Sequence, residues 1–260
     1  MSRFLMNTVL FERNRWEPGR NPSLSVSEWM GRMKEDGFDG IELWENHALK
    51  SSDEEIEALK AHSLSVEIYN SYVSFDDDQD KEREEAAAMI HRLQPKQVKF
   101  NFGDSEASLD VYIRNLKEWE KQLPEDCELL CECHPGTVME DPETARDVLE
   151  QLRPMDVKAI IHPFHAQVDL KGWFDHLEEK IVHAHVSLFK NHVFHALEEE
   201  PEFIQERLQI LKDSNYRGSF SMEFTKGVAE ADETPQEIYT HAVKDVSYLK
   251  RQLQKQEVQR

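Results

Sequence analysis

Short β-like runs alternate with helical stretches along the chain, and the number of those runs is the tightest constraint on its fold. Eight qualify: Phe4–Leu10, Gly40–Trp44, Ser65–Asn70, Gln97–Asn101, Glu128–Cys133, Lys158–Ile161, Ile181–Val186 and Ser219–Phe224. Alternation of this kind means parallel pairing, because a helix must carry the chain back before the next strand can lie alongside the last. Eight such units in 260 residues match a closed (β/α)8 barrel, which needs roughly 250 residues. An open doubly wound sheet would use about five or six strands and bind phosphate on a glycine-rich loop. This chain has 9 glycines and neither a G-x-G-x-x-G nor a Walker pattern. The expectation is an α/β fold, one TIM-barrel domain over residues 1–260.

Helix signals support the alternation. Ser25-Val26-Ser27-Glu28 and Ser52-Asp53-Glu54-Glu55 fit the capping box. Thr234-Pro235-Gln236-Glu237 and Asp141-Pro142 put proline at the first helical position, where its missing N–H is harmless. Gly37 falls where the first helix should stop.

The net charge of −21 restricts partners. Nucleic-acid binding and attachment to anionic membranes both draw on clustered Lys and Arg, and no basic run is present. No apolar run approaches the roughly 20 residues of a membrane span. Glu12 and Arg13 interrupt the apolar stretch after Arg3 too soon for a secretory signal. The three cysteines, Cys127, Cys131 and Cys133, give no disulfide framework. The expected setting is cytoplasmic, with reduced thiols and a small-molecule partner. Assembly with further copies is left open.

Alternation of side chains along a strand places the chemistry. In Leu129–His134, Leu130, Glu132 and His134 share one face, while Leu129, Cys131 and Cys133 share the other. The apolar and thiol face can pack on helices, with the cysteines as small buried hydrophobes, which turns Glu132 to the barrel axis. A carboxylate there needs a metal, a cation or a proton, since an isolated buried charge is too costly. Three further strand ends follow suit: His162 after Val157–Ile161, His185 in the alternation His183-Ala184-His185, and Glu223 after Ser219–Met222. Converging imidazoles and carboxylates suit Zn²⁺, Mn²⁺, Co²⁺ or Fe²⁺ ahead of Mg²⁺ or Ca²⁺, which prefer oxygen shells. Taken singly, each residue also has a plainer reading: a hydrogen-bonded core histidine, or a carboxylate paired with Lys99 or Lys226.

At these residues the sequence resembles the xylose-isomerase-like TIM barrels: sugar and sugar-phosphate isomerases and epimerases, with AP endonucleases as distant relatives. The matching phrases are Gly37–Trp44, Cys133-His134-Pro135-Gly136-Thr137, His162-Pro163-Phe164-His165, His183-Ala184-His185 and Ser221–Gly227. The resemblance implies one divalent metal held by Glu132, His162, His185 and Glu223. It departs from the family at His162, where an Asp-x-x-His phrase usually puts aspartate; the second histidine of the phrase is His165. Losing that negative charge favours a nitrogen-seeking metal such as Zn²⁺, or shifts the ligand role to His165.

The resemblance also implies a mechanism. The metal polarises a carbonyl and its neighbouring hydroxyl, and Glu132 and Glu223 move the proton through an enediolate. His134, His165, Lys226 and Glu42 become substrate contacts for hydroxyl or phosphate groups, and Trp44 and Phe164 walls of the pocket, with ordinary packing as the competing reading. The expected activity is isomerisation or epimerisation of a ketose, sugar phosphate or related polyol. A dehydratase or other lyase shares the enediolate, and a barrel that binds metal or ligand without turnover fits the odd His162. An AP endonuclease would need more ligands than Phe100-Asn101-Phe102-Gly103 supplies, and the acidic charge opposes DNA.

Overall fold

The computed structural model describes residues 2–258 apart from 14, 18 and 20. Its strands are β1 (Phe4–Asn7), β2 (Gly40–Trp44), β3 (Val66–Asn70), β4 (Gln97–Phe100), β5 (Glu128–Glu132), β6 (Lys158–Ile161), β7 (Ile181–Val186), β8 (Leu188–Lys190), β9 (Val193–His195) and β10 (Ser219–Met222). Eight of them close in the order β1-β10-β7-β6-β5-β4-β3-β2, every pair parallel. Helices α1 (Ser27–Glu35), α3 (Asp53–Ala61), α4 (Asp80–Leu93), α5 (Leu109–Glu120), α6 (Pro142–Gln151), α7 (Leu170–Leu177), α8 (Pro201–Asp213) and α9 (Pro235–Val258) follow successive barrel strands, and the short α2 (Glu45–Leu49) is added after β2. The protein is a (β/α)8 TIM barrel.

Two apolar cores result. The larger fills the space between strands and helices and includes Cys131 and Cys133. Inside the barrel a small plug of Leu5, Ile68, Leu130 and Ile160 seals the lumen below the mouth. Leu130 therefore faces inward and Cys131 outward, the alternation expected along β5. Burial pushes the thiols of Cys131 and Cys133 well up, so they act as packing groups.

Several local expectations differ in detail. The first strand is shorter than Phe4–Leu10: the Asn7 side chain accepts from Val9 N–H at 3.2 Å and turns Thr8–Phe11 into a 3-10 helix. The box at Ser25–Glu28 does not form, because α1 starts at Ser27 after an uncapped Val26. Ser27 instead donates its N–H and hydroxyl to Glu55 at 2.9 and 2.6 Å. Ser52 caps α3 by accepting from Glu55 N–H, so Glu55 ties α1 to α3 rather than reaching back to its own cap. Gly37, at φ +89°, ends α1 with the paired bonds Gly37 N–H to Lys34 and Phe38 N–H to Met33. The caps at Asp141 and Thr234 form as expected.

A buried acid on α9 makes one pH effect testable. Asp245 accepts from Leu197 N–H at 2.9 Å and from the Thr225 hydroxyl at 2.5 Å. Burial nevertheless raises its carboxyl from 3.8 to about 6. A raised acid holds its proton more tightly when folded, so its stabilising contribution is complete below pH 3.8 and fades as pH rises through 6. Measured against Asp245→Asn, the wild type should lose about 2 kcal/mol of relative stability between pH 4 and pH 7. Chemical denaturation of both proteins at each pH reads this directly; parallel curves would refute it.

Candidate metal centre

The C-terminal ends of β5, β6, β7 and β10 bring Glu132, His162, His185 and Glu223 together, all buried, with one ligand atom of each lying within 4.8 Å of the others. Glu132 Oε1 lies 3.0 Å from His162 Nε2 and 2.9 Å from His185 Nδ1. Glu223 Oε1 is 3.3 Å from His185 Nδ1, and Oε2 is 3.5 Å from His162 Nδ1. That His162 nitrogen is buried and makes no hydrogen bond. Two carboxylates, two imidazoles and an unsatisfied ring nitrogen pointing among them are the donor set a divalent transition metal uses, so the residues fit such an ion.

The two carboxylates are held differently. Lys99, on β4, approaches Glu132 Oε2 at 2.8 Å, and Asn101 donates to the same oxygen at 2.7 Å. Burial alone would raise the Glu132 carboxyl, but Lys99, His185 and the His162 hydrogen bond hold it well below the usual range. The same ion pair overcomes the burial of Lys99 and raises its ammonium. Among the described residues, Glu223 has the Ser187 hydroxyl, at 3.1 Å, besides the two histidines. It too is lowered, because His185 outweighs its burial.

Below the cluster lies a second polar layer. Glu42 receives His185 Nε2 at 3.0 Å, Asn7 Nδ2 at 3.0 Å and, more distantly, His183 Nε2 at 3.3 Å. Asn70 continues the chain to Asn7, and His183 continues it to Ser219 and Ser221. Glu42 therefore fixes the His185 ring so that Nδ1 faces Glu132 and Glu223, as carboxylates do for metal-bound histidines. Burial disfavours an imidazolium at His185, yet Glu42, Glu223 and Glu132 together raise it well above 6.5.

The remaining candidates are spread around this centre. His134 is exposed, its ring 5.5 Å from His162. His165 stacks obliquely on His162 at 4.6 Å and, through burial and that neighbour, is pushed down to about 3, leaving a neutral imidazole. Trp44 is 1% exposed and packs edge-on against His47, and Phe164 is fully buried. Lys226 stands apart at the surface, its ammonium on Glu199.

Sequence reasoning named Lys99 as a counter-charge for Glu132 but missed Asn101 and Ser187. The alternation Gln97, Lys99, Asn101 carried that signal, since a lumen-facing lysine demands an acid nearby. It also missed the β8–β9 hairpin, whose Asn191 and His192, at φ 53° and 63°, make a two-residue turn between antiparallel strands.

Comparison with known proteins agrees with this architecture. A 3-dehydroshikimate dehydratase of Bacillus anthracis is 23% identical over 195 residues, 66% of this chain and 68% of that protein. The apo crystal structure of the 3-keto-D-glucoside 4-epimerase of E. coli matches with a TM-score of 0.68 at 16% identity, covering 96% of this chain and 100% of that one. A structure of IOLI protein with a bound zinc atom matches with a TM-score of 0.67 at 16% identity, covering 96% and 98%. The model of the xylose isomerase-like TIM barrel matches residues 31–244, and the chain belongs to that family.

Proposed function

We propose that the protein is a metal-dependent isomerase or epimerase of a ketose or related polyol, working by proton transfer through an enediolate. The observation that carries this reading is the convergence of two buried carboxylates, Glu132 and Glu223, with His162 and His185 on one point at the barrel mouth. The epimerase and dehydratase among the relatives support the same general chemistry. Glu132, His162, His185 and Glu223 would hold the ion. When bound, a divalent metal supplies Lewis-acid polarisation of the substrate carbonyl and its neighbouring hydroxyl.

The protein's own residues divide the remaining work. Glu223, with fewer donors on its carboxylate than Glu132, is the stronger base and takes the proton from the carbon beside the carbonyl. Glu132, across the cluster, serves as ligand and as the opposite proton-transfer group. Lys99 and Asn101 fix its Oε2. Glu42 positions His185. His134 and His165 border the same space and are the substrate-contacting imidazoles of this proposal. Trp44 and Lys226 act at most through packing and the surrounding loops, given their burial and pairing.

A second reading, dehydration, draws on the detectable relationship to a dehydratase. There the same proton removal is followed by departure of a hydroxyl from the next carbon as water. One experiment separates the two. Purified protein is analysed for metal, incubated with a panel of ketoses and ring ketones, and its products are weighed by mass spectrometry. About one transition-metal ion per chain is expected, as one four-ligand site requires. Turnover should leave the substrate mass unchanged and cease on chelation. A product lighter by one water selects the dehydratase. Protein that neither contains nor takes up Zn²⁺ or Mn²⁺, or that works equally well with chelator, overturns the metal-dependent reading.

A further inference from the structure

Lys99 is a lysine built into the wall of the barrel. On β4 it pairs with Leu130, a residue of the apolar plug two positions before Glu132. Its four-carbon stem carries the ammonium up the lumen to the mouth. There the ammonium lies 2.8 Å from Glu132 Oε2 and 4.1 Å from the centre of the Tyr72 ring. The Asn101 amide donates to the same carboxylate oxygen at 2.7 Å. Lys99 is 1% exposed, so dissolved salt screens its charge far less than that of a surface lysine.

The Glu132 carboxylate is divided between two tasks. Oε2 is taken by Lys99 and Asn101, while Oε1 faces His162 at 3.0 Å and His185 at 2.9 Å. An ion held by Oε1, the two imidazoles and Glu223 therefore stands one carboxylate away from a buried ammonium of like sign. In a low-dielectric lumen such charges repel much more strongly than at a surface. Lys99 thus acts on the centre twice, with opposite signs. It neutralises a carboxylate that is too costly to bury alone, and it opposes any cation that binds to the other oxygen. Asn101 already supplies a hydrogen bond without a charge, so aligning Oε2 did not by itself require a lysine.

We infer that Lys99 is a resident counter-cation, which holds Glu132 in place while the ion is away and loosens the ion once it is bound. The ion then exchanges from a barrel that stays folded without it. This rests on the metal-dependent reading above and adds a property that reading does not require. Where no such cation is present, a cluster of buried carboxylates has to fold around its ion, and metal binding becomes part of the folding free energy. With Lys99 in the wall the ion enters a prepared site. The loss of affinity falls on divalent ions alike, because the repulsion depends on charge and distance. Lys99 sets how tightly an ion is held, and the nitrogen donors of His162 and His185 set which ion it is.

The test compares the full chain as wild type, Lys99→Met and Lys99→Gln, each stripped of metal and titrated with Zn²⁺ and with Mn²⁺ against a competing chelator. Met keeps the length of the stem and removes both charge and donor; Gln removes the charge and keeps a donor. Both variants should hold both ions at least tenfold more tightly than the wild type does. The stripped wild type should melt cooperatively, stripped Lys99→Met roughly 10 °C lower, and added Zn²⁺ should close most of that gap. A Lys99→Met protein that folds only with Zn²⁺ shows the same dependence in its extreme form, and Lys99→Gln then carries the affinity comparison. Unchanged or weaker binding in either folded variant means that Lys99 serves alignment or the fold alone, which overturns the inference and leaves the metal-dependent reading standing. Failure of both variants to fold even with Zn²⁺, or a stripped wild type that is unfolded, overturns it too. A wild type that binds neither ion overturns the inference and the metal-dependent reading together.

Discussion

Glu132→Gln and Glu223→Gln should both lower turnover by about 10²- to 10⁴-fold, the span of general acid–base catalysis, yet only the first should also destabilise the fold. The difference follows from what each carboxylate faces. Glu132 Oε2 lies between the Lys99 ammonium and the Asn101 amide, and Lys99 is 1% exposed. An amide at 132 removes the counter-charge of a buried cation and places an N–H₂ group where donors already converge. Leaving such a charge unpaired costs about 3–5 kcal/mol. Glu223 supports no buried lysine, and its substitution leaves Ser187 able to donate to the amide oxygen. Thermal unfolding of the metal-free variants is the measurement. Glu132→Gln should melt roughly 10 °C below the wild type, and Glu223→Gln within a few degrees of it. Equal melting points would show that Lys99 does not depend on Glu132. Retained turnover in both variants would remove the two-carboxylate mechanism.

The second large effect lies at the rim. Arg15 and Glu233 form a buried pair with side chains 1% and 2% exposed. The guanidinium also donates to the carbonyls of Val9 at 3.1 Å and Leu10 at 2.7 Å. Glu233 accepts in addition from Ala229 N–H at 2.7 Å. The pair therefore joins the loop after β1 to the loop after β10, the two segments that bear Trp16 and Phe224. Arg15→Ala strands a buried carboxylate and two carbonyls, so a loss of about 3–5 kcal/mol is expected, seen as a fall in Tm of roughly 10 °C. Arg15→Met combined with Glu233→Leu should recover most of it, because an apolar pair of similar volume carries no unpaired charge. If the double variant melts as low as Arg15→Ala, the loss comes from the loop backbone and not from the stranded charge.

Much of this molecule was legible from the order of its residues. The eight barrel strands lay within a few positions of their expected places because each is a short apolar run bounded by strong helix signals. Period-two alternation put Leu130 and Glu132 on one face and Cys131 on the other. It failed where a side chain intervenes locally: Asn7 bonds its own backbone and ends β1 early, and Ser27 leaves its box for Glu55 on a neighbouring helix. Long-range partners were harder. Nothing in the spacing of Glu42 shows that it lies beneath His185, a contact made across 143 positions. The hairpin escaped because Asn191-His192 lacks the glycine that usually marks such a turn.

Closure of the sheet between β1 and β10 has a consequence for the newborn chain. Phe4 pairs with Phe220 and the two rings stack at 5.5 Å, so the seam joins the first strand to the last. During synthesis, at roughly 5–20 residues per second, β1 waits with an unpaired edge until β10 leaves the ribosome. Glu223 emerges just after that strand, so the proposed ligand set is incomplete on any shorter nascent chain. An ion bound by all four residues would lock a finished barrel and could not template an unfinished one.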